Sequence, residues 1–181
     1  MLPHRILAAL LALSLALAGC SGTALERYTD SRTGYEFRHP NSWVSVDVSE
    51  ASGNVDALFQ DLVERTENLS VVISEVEPEQ TLEGLGTPSE VGRRLIAQTL
   101  APLASQREAQ LLSARQKREE TQTYYQLEYR VELPESEPRH NLASVAVSRG
   151  KLFTLSVSTP QRRWEQRADT FQTVVDSFYV Y

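Results

Sequence analysis

Three sets of side chains in this 181-residue chain carry atoms suited to chemistry: the Cys20 thiol, the imidazoles of His39 and His140, and the guanidinium pair Arg162-Arg163 ahead of Trp164. Cys20 is the one cysteine and follows an apolar run, Ile6 to Ala18, that only Ser14 interrupts. Its thiolate is the atom that can be alkylated, and no second cysteine exists to close a disulfide. The histidines lack metal-centre spacing: no His-Glu-x-x-His occurs, and a catalytic zinc needs three protein ligands. His39 precedes Pro40 and reads as a turn residue held extended. His140 starts a strand near Glu135 and Glu137, so it is the residue through which an adventitious Zn or Mn ion would bind. No G-x-S-x-G and no Gly-rich phosphate loop is present. The chain therefore reads as non-enzymatic, with no required cofactor and at most weak Zn, Mn or Ca binding. The glutamates from Glu75 to Glu83 lack the positions of a calcium-binding loop.

The N-terminus is a targeting segment. His4 and Arg5 precede the apolar run, which is shorter than the roughly 20 residues a membrane-spanning helix needs, and this is the layout of a secretory signal. Leu17-Ala18-Gly19-Cys20 resembles the lipobox of bacterial lipoproteins, in which a peptidase cuts before the cysteine and its thiol carries diacylglycerol. The alternative is an ordinary signal peptide that leaves Cys20 as a spare thiol. Acylation predicts a signal at 1–19, a lipidated linker at 20–26 and one folded domain at 27–181. Two or three acyl chains hold a protein on a bilayer, whereas one does so marginally. The formal net charge is −6, a poor match to nucleic acid, which calls for a clustered basic surface.

The elements that must position the candidate groups are legible in apolar spacing. Tyr35 and Phe37 alternate with polar neighbours, Pro40-Asn41 turns the chain, and Trp43, Val44 and Val46 resume, which predicts a hairpin-like pair. Strands are expected at Ala57–Gln60, Leu69–Ser74, Gln110–Thr121 and Thr123–Leu133. The last sets Tyr125, Leu127, Tyr129 and Val131 against Gln126, Glu128, Arg130 and Glu132, which suits a sheet with one wet side. Thr87-Pro88-Ser89-Glu90 is a capping box with proline at the first helical position, and it opens a helix that Pro102 stops. Pro134–Pro138 reads as a loop. Leu142–Ser148 and Lys151–Ser158 then form a hairpin through Arg149-Gly150. Trp164, Ala168, Phe171, Val174, Val175 and Phe178 mark a final helix from Gln161. Antiparallel strands with two amphipathic helices to cover them give an α+β sandwich.

Three stretches, GYEFRHPNSW, TENLSVVIS and RHNLASVAVSRGKLFTLSVSTPQRRW, resemble the PsbP family in content and order. With the lipobox, the likeness is to the family's cyanobacterial lipoprotein members. The resemblance implies an antiparallel β-sheet flanked by helices on both faces. It also implies residence on the lumenal side of the thylakoid membrane, and association with photosystem II lumenal subunits or assembly intermediates. Plant members carry an N-terminal extension tied to calcium and chloride retention, and this chain has no counterpart between Cys20 and Arg27. The acidic residue and the histidine considered together in plant members as a metal site correspond here to Gln161 and His140, and glutamine is a poor substitute for a carboxylate. The expected sites are thus Cys20 for lipid, Arg162 and Arg163 for an acidic partner face, and His140 for a weak metal contact. The rival expectation is an exported lipoprotein that binds a metal ion or small ligand in the periplasm.

Overall fold

Alternating Tyr125, Leu127, Tyr129 and Val131 are buried along β7 (Gln122–Leu133), the second strand from one edge of a seven-stranded antiparallel sheet. The order across it is β3 (Trp43–Ser45), β4 (Val55–Asp61), β5 (Asn68–Glu75), β9 (Lys151–Pro160), β8 (Ser136–Ser148), β7 and β6 (Glu108–Glu119). The computed structural model describes residues 24–48, 54–100, 107–119 and 122–181. Cys20, Gly53 and Pro102 lie outside the described residues.

Each face of the sheet has its own core. On one face α1 (Pro88–Leu95) packs over β6 and β7, burying Val91 with Tyr125, Leu127, Tyr129 and Val145. The capping box forms as the sequence predicts: Glu90 Oε2 accepts from the Thr87 N–H at 2.7 Å, and Thr87 Oγ1 accepts from the Glu90 N–H at 3.4 Å. Gly92 lets the helix come close, because a Cβ there would meet Leu111 Cδ1 at 3.0 Å and Leu127 Cδ2 at 3.2 Å. From Ile96 to Leu100 the helix widens to a π turn. On the other face lie α2 (Trp164–Asp176) and a small sheet of β1 (Leu25–Asp30), β2 (Tyr35–Pro40) and β10 (Tyr179–Val180). Phe37, Phe59, Phe153, Leu155, Phe171 and Val174 fill this larger core. An antiparallel sheet with helices on both faces is therefore the architecture.

Local expectations change at several points, the final helix among them, which ends at Asp176 before Phe178. Tyr35–Pro40 and Trp43–Ser45 are not a hairpin: β2 pairs with β1 and β10, whereas β3 pairs with β4, so Pro40-Asn41 hands the chain from one sheet to the other. Leu25 already begins a strand, inside the segment read as linker, because Tyr28 packs on Phe37 and Phe59. Residues 136–138 are strand rather than loop. Pro134 and Glu135 form a two-residue turn, with Glu135 at φ 57°. The polar face of β7 is only partly wet, since Gln126 is buried and donates to Asp176 Oδ1 at 2.7 Å. The β8–β9 hairpin holds, with both Arg149 (φ 50°) and Gly150 (φ 69°) in the left-handed region that such a turn requires.

Candidate functional site

At one end of the large sheet, the β4–β5 turn, the start of β8, the end of β9 and the entry to α2 meet, and the charged candidates converge there. Their centre is a residue the spacing did not single out. Glu67 has no exposed surface. Its Oε1 accepts from Thr159 Oγ1 at 2.8 Å and from Arg163 Nε at 2.7 Å, and Arg167 Nε lies 3.0 Å from Oε2. A carboxylate taken out of water needs such partners, because an unpaired buried charge costs several kcal/mol. The Glu67 hydrogen bond raises the Arg163 guanidinium above its ordinary pKa. Burial lowers that of Arg139, against the pull of Glu67 and Glu64. Arg139 Nε donates to Ser158 Oγ at 2.8 Å and its Nη2 to the Thr66 carbonyl.

Arg162 and Arg163 therefore part company. Arg163 is turned inward on Glu67, whereas the Arg162 side chain is 60% exposed and lies between Glu64, at 3.5 Å, and Glu137. Glu137 Oε1 also accepts from the Arg162 N–H at 3.1 Å, which fixes the turn into α2. Within this pair Arg162 is the one facing outward.

His140 sits beside this network. Its ring stacks on Trp164 with centroids 3.7 Å apart and planes 11° apart. Nε2 donates to Glu128 Oε1 at 2.8 Å, and Nδ1 lies 3.1 Å from the side-chain amide of Gln161. The fold thus brings together the His140–Gln161 pair that the resemblance pointed to. Its acidic neighbour is Glu128, across the strand, and not Glu135 or Glu137. Both ring nitrogens are engaged, so a metal at His140 would have to displace Glu128 or Gln161. Among the described residues no group of three or more His, Cys, Asp or Glu is arranged to hold a metal ion. His39, expected in a turn, is buried at the end of β2, with its ring 4.4 Å from Phe59.

A second feature lies on the α1 face. A groove of about 320 Å³ runs between α1 and β5, β8 and β9, lined by Ser70, Val72, Thr154, Ser156, Leu95 and Arg94 among others. Tyr129 and Ser156 share a hydrogen bond of 2.8 Å at its floor, and burial pushes the Tyr129 phenol pKa up.

Comparison with known proteins adds a family. The PsbP family profile matches residues 23–180. A protein named CyanoP from Thermosynechococcus vestitus is 46% identical over 100% of both chains, and CyanoP from Synechocystis sp. is 46% identical over 94% of this chain and 93% of its own length. The solution structure of the Synechocystis protein superposes with a TM-score of 0.76, covering 90% of this chain and 96% of that one.

Proposed function

The chain belongs to the PsbP family, and from that premise we propose that it is a lipid-anchored protein of the thylakoid lumen that binds photosystem II. Its role is that of an extrinsic subunit, or of an assembly or stabilisation factor of the oxygen-evolving side. The observation that carries the reading is the 46% identity to a CyanoP protein along the entire length of both chains. The geometry is consistent with a binding role. The charged end of the domain is an ion-pair network built around Glu67, with Arg162 presented outward at its rim. Acylation at Cys20 would confine the domain near the membrane and raise its effective concentration at the complex, so a modest docking face suffices.

The test is fractionation of solubilised thylakoid membranes from a strain carrying an epitope-tagged chain. Co-migration of the tag with photosystem II complexes or their precursors is expected. Absence from all of them, together with normal photosystem assembly in a deletion strain, would reject the proposal. A second reading, an exported lipoprotein that binds a small ligand or metal ion, has the 320 Å³ groove in its favour. It would gain from ligand retained through purification. Weak binding of Zn, Mn or Ca through His140 is tested by calorimetry on wild type and His140→Ala, where equal heats remove His140 as a ligand.

A further inference from the structure

The turn between β4 and β5 exposes two consecutive apolar side chains: Leu62 is 59% and Val63 91% exposed. No other adjacent pair of large apolar residues among the described residues is so exposed. Yet the turn beneath them is firmly built. Asp61 Oδ1 accepts from the Val63 N–H at 2.7 Å and the Glu64 N–H at 2.8 Å, and Ser42 Oγ donates to Asp61 Oδ2 at 3.3 Å. The ends of the turn are tied by Asp61 N–H to the Glu67 carbonyl at 3.1 Å and Glu67 N–H to the Glu64 carbonyl at 2.8 Å. Glu67 is in turn fixed by Arg163 and Arg167. Two adjacent aliphatic side chains on a rigid turn add apolar burial to any contact made at this tip.

Its position names the phase. The Leu62 N–H donates to the Ser42 carbonyl at 3.3 Å, and the Asn41 N–H donates to the Ala24 carbonyl at 3.0 Å. The tip is thus two hydrogen-bonded steps from Ala24, where the described chain begins. Cys20 lies four residues before Ala24, a reach of at most about 14 Å. A lipid on Cys20 would hold this end of the molecule at the bilayer, with the tip beside it.

We infer that Leu62 and Val63 dip into the acyl region of the bilayer as a second membrane contact, fixing the orientation of the domain on its anchor. The inference rests on the acylation of Cys20 proposed above. The contact is driven by apolar burial, so it forms on neutral phosphatidylcholine as well as on mixtures with phosphatidylglycerol.

The test uses the mature acylated protein purified from membranes, in which Cys20 carries lipid and leaves no other thiol. Val63→Cys, and separately Glu77→Cys, two residues past the far end of β5, are labelled with an environment-sensitive dye and reconstituted into phosphatidylcholine vesicles. The dye at 63 is expected to shift to the blue and to be quenched by bromine-bearing acyl chains, while the dye at 77 does neither. The Leu62→Ser/Val63→Ser double variant should leave vesicles at least roughly tenfold faster, the loss expected when two aliphatic side chains no longer partition. Protein that floats with vesicles while the dye at 63 stays aqueous overturns the tip contact and leaves the anchor standing. Protein that fails to float, with a free Cys20 by mass spectrometry, removes the anchor and the inference with it. A shift seen only after photosystem II complexes are added makes the tip a protein-docking element and overturns the bilayer contact.

Discussion

Glu67 shows how one side chain decides the fate of its neighbours. Two guanidiniums converge on a carboxylate with no exposed surface, but each keeps about a quarter of its own surface in water, so Glu67→Gln should lower unfolding stability by about 1–3 kcal/mol, the cost of leaving buried hydrogen-bonding groups unpaired. Equilibrium urea unfolding measures it, and a change below about 1 kcal/mol would mean that water reaches the network. Arg162 offers the contrast. It is mostly exposed, and surface ion pairs contribute about 0–1 kcal/mol, so the neutral Arg162→Gln should leave the unfolding midpoint nearly unmoved while weakening co-migration with photosystem II. Asp61 ties stability to pH. Burial pushes its pKa up, but hydrogen bonds from Glu64, Val63 and Ser42 outweigh this, and the folded-state value falls below 3.8. The carboxylate therefore stabilises the fold above the unfolded-state pKa, and the contribution fades as pH drops through the folded-state value. The stability gap between wild type and Asp61→Ala should be full at pH 7 and close steadily below about pH 4. A gap that stays constant into acid would assign the effect to packing.

The elements differ in how openly the sequence announces them. The helix at Thr87 and the Arg149-Gly150 hairpin carry local signals, a capping box and a turn glycine, so neither depended on what lay elsewhere. The Pro40 crossing depended wholly on distant partners. β2 and β3 look like two arms of one hairpin until β1, β10 and β4 compete for their edges. β1 itself, LERYTD, has little apolar alternation, and Tyr28 packing on Phe37 and Phe59 supplies what the pattern lacks. The candidate site divides in the same way. Arg163 and Arg167 stand one helical turn apart, a relation readable in the chain, but nothing around Glu67 marks it as their shared counter-ion. Gly92 tests the fit of α1 on the sheet. Gly92→Ala gains about 1 kcal/mol of helix propensity against contacts of 3.0 to 3.2 Å, so it should be close to neutral. Gly92→Val adds two methyls to the same gap and should destabilise by about 1–3 kcal/mol. Thermal unfolding of the two variants separates them, and equal midpoints would show that α1 can lift from β6 and β7.

For the whole molecule, the two cores and the crossing of β2 into the small sheet bind the first described residues to the last. β10 pairs with β2, and the Val180 N–H donates to the Tyr124 hydroxyl at 3.1 Å. Long-range pairing of this kind makes folding slow relative to helical domains, in the millisecond-to-second range. The sheet ends in β6, a twelve-residue strand. Its Arg115, Lys117 and Arg118 reach back to Gln172, Asp176 and Glu83 of the same chain. Proteins confined to a surface meet one another far more often than they would in solution, and an open strand edge is where such meetings turn into self-association. Among the described residues no strand pairs with the outer edge of β6, and charged side chains spaced along such a strand disfavour its pairing with a second copy.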